Sequence, residues 1–293
     1  MSPSIAYLFP GQGRIPDALP PASERGDRLM VVAEEHDLSL RAWIEDGRDD
    51  LLTLTANAQP ALFIDSLGRE EALRAAGWSA SAVAGHSLGE YGALVCAGVL
   101  DAVDALVAVI ERGRAMSGIE GTMAAILKLD VETVEALCER VGLGACVANH
   151  NGPAQVVVSG GRAAVEDLAQ RAAALGARAI PLQVSGPFHS PAMRPAEATL
   201  EPTLRTLAFR APTIPVVSSV TATDEEDPET LREILCGQIT ARVRWVDVIR
   251  RLETLGVTTA VEVGAGDVLT RLGRRMPTEI RFLTFEEAID ERT

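Results

Sequence analysis

Short apolar runs closed by Gly or Pro alternate along this chain with longer segments whose apolar positions recur at helical spacing. Ile5-Ala6-Tyr7-Leu8-Phe9 reads as a buried strand stopped by Pro10-Gly11-Gln12-Gly13, a turn whose two glycines let the Gln12 backbone approach a neighbour closely. Arg14 to Arg25 reads as loop, Arg28–Glu35 and Leu38–Glu45 as short helices. Gln59-Pro60-Ala61-Leu62 is expected to open a helix that runs to about Ala76, with Pro60 in its first turn. Val83-Ala84 completes another strand, and Leu88–Cys96 continues as helix. Gly98 closes that helix and Asp101 caps the next, Ala102–Met116, whose apolar stripe is Val103, Ala105, Leu106, Val109 and Ile110.

From Gly121 the pattern changes. Met123–Leu127 is a strand, Val131–Val141 an amphipathic helix, and Ala145–Ala148 and Gln155–Ser159 two strands around an Asn149-His150-Asn151-Gly152-Pro153 turn. A helix, Ala163–Leu175, and a strand, Arg178–Val184, complete the order β-α-β-β-α-β of a ferredoxin-like unit. Helix returns at Ala196–Leu207, strand at Ile214–Ser219, helix at Pro228–Thr240 and Trp245–Leu255, strand at Val261–Val263 and helix at Val268–Met276. The acidic run Asp224–Glu229 reads as solvated loop. Strands alternating with helices imply a mostly parallel sheet covered on both faces. The expected fold is therefore α/β: an α/β-hydrolase-like large domain, residues 1–120 and 186–293, with a ferredoxin-like small domain, residues 121–185, inserted into it.

Composition narrows the function more than the fold. Among 293 residues, 41 acidic against 27 basic side chains give a net charge of −14, which disfavours nucleic acid as a partner. The longest apolar region, Ala93–Ile110, is interrupted by Asp101 and Asp104, so no membrane span is expected. The first residues lack the basic start of a signal peptide. Cys96, Cys138, Cys146 and Cys236 show no metal-ligand spacing and read as reduced, partly buried residues. The expectation is a cytoplasmic monomer without cofactor or metal.

The stretch with chemical content is Gly85-His86-Ser87-Leu88-Gly89 between strand and helix, a G-x-S-x-G nucleophile elbow. It exposes the Ser87 hydroxyl and aims backbone N–H groups of the next helix at a developing oxyanion. Ser87 needs a base, and the chain offers His36, His86, His150 and His189. His86 adjoins Ser87 on a tight turn and suits bracing. His36 lies in a charged helical stretch, and His150 in the hairpin turn of the small unit. His189, on the constrained loop Ser185-Gly186-Pro187-Phe188-His189-Ser190 at the domain junction, is favoured by chemistry. Arg112, near a helix C-terminus, would by itself read as a surface or capping residue.

Six motifs in order change that reading: Phe9-Pro10-Gly11-Gln12-Gly13, Gln59-Pro60-Ala61-Leu62, Gly85-His86-Ser87-Leu88-Gly89-Glu90-Tyr91, Arg112-Gly113-Arg114-Ala115-Met116, Gly186-Pro187-Phe188-His189-Ser190 and Glu262-Val263-Gly264-Ala265-Gly266. In these the chain resembles the malonyl-CoA:acyl carrier protein transacylases, both the stand-alone enzyme of fatty-acid synthesis and the discrete acyltransferases of polyketide synthases. The resemblance implies that Ser87 is acylated and that His189 is its general base and later its acid. It implies an oxyanion hole from the N–H groups of Gln12 and Leu88, and a histidine oriented by a main-chain carbonyl at Gln238 rather than by a carboxylate. Arg112 would hold the malonyl carboxylate as a bidentate pair, Phe188 would crowd the acyl α-carbon and favour malonyl over methylmalonyl, and Met116 and Asn151 would line the pocket. Two departures stand out: Arg14-Ile15-Pro16-Asp17 follows Gly13 in place of the family's Ser-Gln, and Gly264-Ala265-Gly266 replaces its commoner Gly-Pro-Gly.

The implied reaction is ping-pong transfer of malonyl from coenzyme A to the phosphopantetheine thiol of an acyl carrier protein. Because carrier proteins are acidic, docking needs a basic patch, for which Arg242, Arg244, Arg250, Arg251, Arg271, Arg274 and Arg275 are the candidates. The rival readings are an acyl-clearing thioesterase or other serine hydrolase, a catalytically silent docking subunit, and the malonyl-transfer subunit of a malonate decarboxylase. A hydrolase of the elbow type places its histidine late in the chain and has no use for a carboxylate-binding arginine.

Overall fold

The structure, a computed structural model, describes residues 4–13, 16, 18–19, 21, 23–142 and 144–292. The chain begins with β1 (Ile5–Phe9), then α1 (Glu24–Glu35), α2 (Leu40–Glu45), α3 (Asp49–Leu52) and α4 (Thr55–Ala75). Next come β2 (Ala82–Gly85), α5 (Gly89–Cys96) and α6 (Ala102–Met116). The following stretch is β3 (Thr122–Leu127), α7 (Val131–Val141), β4 (Cys146–Gly152), β5 (Gln155–Gly160), α8 (Arg162–Ala174) and β6 (Arg178–Pro181). A 3₁₀ turn (Pro191–Met193) leads to α9 (Arg194–Thr206), β7 (Val216–Val217), β8 (Asp224–Glu225), α10 (Pro228–Gly237) and α11 (Trp245–Thr254). The chain closes with β9 (Thr259–Glu262), α12 (Val268–Gly273), β10 (Arg281–Leu283) and α13 (Phe285–Asp290).

Two sheets result. The larger has the order β10-β9-β1-β2-β7-β8 and is parallel except for β8. Its strands alternate between two cores: Ile5, Tyr7, Phe9 and Val83 join one, with α4, α5 and α6, while Ala6, Leu8, Ala82 and Ala84 join the other, with α11 and α12. The smaller sheet is antiparallel with the order β4-β5-β3-β6, which is the ferredoxin-like arrangement. Ala124, Ile126, Val156 and Val158 pack under α7 and α8, whereas Met123, Ala125 and Val157 point the other way, into a cluster with Met116, Phe188 and Ile239. The small sheet thus turns one face to its own helices and the other to helix and loop residues of the large domain.

Several expectations need correction. Helix α4 starts at Thr55, so Pro60 sits inside it, where its missing N–H costs the bond to Ala56. Burial outweighs that loss: every residue from Ala58 to Gly68 is buried. Within the expected turn only Pro153 turns, together with Ala154; β4 continues through Asn149 to Gly152 with two register shifts. Its polar residues are tolerated because the far edge of β4 is paired too. His150 donates its N–H to Val243 O at 2.8 Å, and Val243 donates to Ala148 O at 2.8 Å. Asp224 and Glu225 form the edge strand β8 against Val217 and Val216, with Asp224 paired to Arg251, so charge caps the sheet edge. The strand expected at Ile214–Ser219 shrinks to Val216–Val217. α3, β10 and α13 are too short to announce themselves by periodicity. Within Arg14–Arg25, Arg14, Ile15 and Asp17 lie outside the described residues, and α1 already begins at Glu24.

Candidate active site

The chain winds from β1 to β2 and β7 on one side and returns to β9 on the other, so a crevice opens beyond the C-terminal ends of β1, β2 and β9. Glycines make the turn there possible. A Cβ on Gly85 would fall 2.1 Å from Glu90 N, one on Gly89 2.0 Å from Phe9 O, and one on Gly11 2.7 Å from His86 O. Ser87 itself adopts φ 55°, the strained conformation that lifts its side chain out of the sheet.

His189 also has positive φ, 56°, held by its N–H donating to Ile239 O at 3.0 Å. Its Nε2 lies 2.7 Å from Ser87 Oγ. On the other side of the ring Nδ1 lies 2.8 Å from Ala241 O and 3.2 Å from Gln238 O. Two carbonyls there require a proton on Nδ1, which leaves Nε2 free to accept from the serine. Burial, reinforced by the Arg112 charge, pushes His189 down to about 3, so the imidazole is neutral. Gln238 O is thus one of two orienting carbonyls, and Ala241, which the sequence did not single out, supplies the shorter contact.

Arg112 is no surface residue. It is 1% exposed. Its Nη2 donates to Ser87 Oγ at 3.0 Å and Gln238 Oε1 at 3.2 Å, and its Nη1 to Gln59 Oε1 at 2.6 Å. Gln59 stood in one of the six motifs without a role; an amide inside an apolar helical run was the available signal. Among the described residues Arg112 Nε has no partner. The guanidinium is therefore buried against neutral acceptors, a demanding arrangement unless an anion arrives.

Beside Ser87 and His189 lies a cavity of about 260 Å³. Gln12, Gly13, His86 and Ala265 wall it on the large-sheet side. Met123, Asn151, Val157 and Phe188 face them from the small sheet and its exit loop. Gln12 and Asn151 thus lie on the wall, as does Phe188 next to His189. Met116 packs in the apolar cluster behind that wall, within 3.5 Å of Gln59 Nε2. Leu88 is buried, so only its backbone, at the start of α5, is offered to the site. His86 braces the elbow: its Nε2 is 2.9 Å from Asn151 Oδ1 and its ring meets Trp245 edge-on. His36 is far along the chain on the C-terminal end of α1, and His150 is a β4 residue. The Gly264-Ala265-Gly266 departure is accommodated: a Cβ on Gly264 would strike the Pro10 ring at 2.3 Å, whereas Ala265 lines the cavity. Six of the seven proposed docking arginines carry carboxylate partners: Arg242 with Glu135, Arg244 and Arg250 with Asp247, Arg251 with Asp224, Arg271 with Asp267 and Arg274 with Glu287.

A strained serine at an elbow, a neutral histidine on its hydroxyl and a buried guanidinium beside both define an acyl-transferring serine enzyme that can single out acyl groups bearing a carboxylate. Comparison with known proteins gives the family. Residues 22–280 match the acyl transferase domain family. The malonyl CoA-acyl carrier protein transacylase of Bacillus subtilis is 38% identical over 97% of this chain and 93% of its own length. The solved acyl-carrier-protein S-malonyltransferase of Bartonella henselae superposes with a TM-score of 0.90 at 38% identity, covering 98% of both chains. A malonyl-transacylase solved in complex with a type II polyketide-synthase acyl-carrier protein superposes with a TM-score of 0.90 at 32% identity, over 98% of this chain and 99% of that one. The chain belongs to the malonyl-CoA:acyl carrier protein transacylase family.

Proposed function

We propose that this chain moves a malonyl group from coenzyme A to the phosphopantetheine thiol of an acyl carrier protein, with Ser87 as the acylated residue. The observation that carries the reading is Arg112 Nη2 at 3.0 Å from Ser87 Oγ, because it sets a carboxylate receptor directly beside the nucleophile. His189 accepts the Ser87 proton through Nε2 as Oγ attacks the thioester carbonyl. The backbone N–H groups of Gln12 and Leu88 receive the oxyanion. Collapse of the tetrahedral intermediate breaks the C–S bond, and His189 returns the proton to the coenzyme A thiolate. In the second half the carrier thiol gives its proton to His189 and attacks the malonyl ester; the C–O bond to Ser87 breaks, and His189 returns the proton to Ser87 Oγ. No cofactor enters these steps, since Ser87 and His189 supply the nucleophile and the proton transfers.

The malonyl carboxylate takes the place on Arg112 that Ser87 Oγ and Gln238 Oε1 occupy in the free enzyme, and Phe188, buried beside His189, leaves little room at the α-carbon. Acetyl brings no carboxylate to the buried guanidinium, which selects against it. The thioesterase reading gives no purpose to Arg112, and the family of the relatives speaks against the decarboxylase subunit. Among the described residues no helix is long and apolar enough to cross a membrane; a cytoplasmic location is part of the proposal. The boundaries of the inserted domain are taken as 121 and 185, where the entering and leaving segments come together: a Cβ on Gly121 would fall 2.6 Å from the Pro187 ring. The test is incubation with malonyl-CoA and a holo carrier protein, read by the mass of the carrier. Malonyl on the carrier is expected; free malonate with an unmodified carrier would make the protein a hydrolase.

A further inference from the structure

Glu90 takes no part in the steps above, yet it stands in the first turn of α5, three residues after Ser87, and is 2% exposed. Its carboxylate accepts from Ser219 Oγ at 2.7 Å, from Ser219 N–H at 3.3 Å and from Gln238 Nε2 at 2.6 Å. Burial pushes the Glu90 carboxyl up, and these donors oppose that shift. The Gln238 amide donates a second time, to Ser87 O at 3.0 Å. With both amide hydrogens committed, Gln238 Oε1 must face Arg112 Nη2, where it accepts at 3.2 Å. A flipped amide would set its oxygen against the Glu90 carboxylate and its NH₂ against the guanidinium, two repulsive contacts at once.

We propose that Glu90 is a positioning residue: through the Gln238 amide it holds Arg112 against Ser87, and it supplies the buried negative charge that retains the guanidinium when no acyl carboxylate is bound. The inference rests on Arg112 being the receptor of the acyl carboxylate. Glu90 touches no substrate, so its influence reaches the reaction as acyl selectivity rather than as loss of the nucleophile. The Gly-His-Ser-Leu-Gly-Glu stretch then sets the serine and the counter-charge of its selectivity arginine on one turn of chain.

The experiment compares malonyl and acetyl loading of Ser87 from the two coenzyme A thioesters, as kcat and KM separately, in wild type, Glu90→Gln, Glu90→Asp and Gln238→Met. Glu90→Gln keeps shape but removes the charge that orients Gln238. The expected result is a fall of about tenfold or more in the malonyl-to-acetyl ratio, most of it through malonyl KM, with acetyl loading within about threefold of wild type. Glu90→Asp, which keeps the charge, is expected to retain most of the ratio. In an Arg112→Ala background Glu90→Gln should lower the ratio no further, because the path runs through Arg112. Equal loss of malonyl and acetyl loading, or an unchanged ratio, would overturn the inference and make Glu90 a structural brace. Should Glu90→Gln fail to fold, Gln238→Met decides: it leaves the main-chain carbonyl on His189 intact, and a wild-type ratio there would equally overturn it. Wild type that acquires no malonyl adduct would instead defeat the reading of Arg112 on which the inference rests.

Discussion

The two walls of the cavity are built on different terms. The wall from the parallel sheet carries the strained Ser87, backed by the buried Arg112 and Glu90 and by an amide network in which Gln59 and Gln238 bond Arg112, and Gln238 also bonds Glu90 and the Ser87 backbone. The wall from the antiparallel sheet is mostly apolar, with Met123, Ala125 and Val157 facing inward and Asn151 reaching His86. Parallel strands end together at a switch point, where loops and a helix N-terminus converge, so that side can concentrate chemistry. The antiparallel sheet offers a regular surface that excludes water and shapes the cavity. Apart from His189 on the exit loop and the polar Asn149, Asn151 and Gln155, electrostatics resides on one wall and fit on the other.

The sharpest way to test that division is Arg112→Ala, which removes the anion receptor and leaves the opposite wall untouched. Malonyl loading should fall by about 100-fold or more, and acetyl loading far less. Equal losses, measured as kcat/KM for the two thioesters, would mean Arg112 is structural. Next comes the pH profile. An ordinary histidine, neutral only above about 6.5, would lose roughly thirtyfold of its base form between pH 8 and pH 5. His189, pushed to about 3 by burial and by Arg112, stays neutral over that range. The kcat/KM for malonyl loading should therefore show no acid limb near 6.5, and in Arg112→Ala, where that charge is gone, any limb should move up. A wild-type limb near 6.5 would show a solvated histidine.

Gly89→Ala attacks the elbow itself. Its Cβ would fall 2.0 Å from Phe9 O, a backbone atom that cannot swing aside, and should cost about 3 kcal/mol or more, read as a lower denaturant midpoint. Val157→Ala, on the apolar wall, should cost about 2 kcal/mol and change malonyl kcat/KM by less than about threefold. A large kinetic loss there would break the division between the walls.

Much of this was legible in the sequence for physical reasons. Ser87 announced itself because an elbow needs glycines on either side, and the geometry of Gly85 and Gly89 shows why. His189 lay on a loop rich in breakers, and the short apolar runs of β3 and β5, set between helices, gave the small sheet. Arg112 was not legible from its own helix, where spacing puts it beside exposed and buried neighbours alike; only its place among ordered motifs suggested a role. Asn149 to Gly152 misled because polar residues read as a turn, whereas the strand is polar where its free edge pairs with Val243. Pro60 misled because packing overrode a local preference. Ala241 acts through a main-chain carbonyl, for which side-chain identity carries no signal.

The most direct measurement is intact-protein mass spectrometry after brief exposure to malonyl-CoA, followed by peptide mapping and by addition of a holo carrier protein. The account predicts a single malonyl adduct on Ser87, absent in Ser87→Ala, stable until the carrier is added and then transferred to it. An adduct on another residue, one that persists in Ser87→Ala, or one that decays to free malonate before any carrier is present would contradict it.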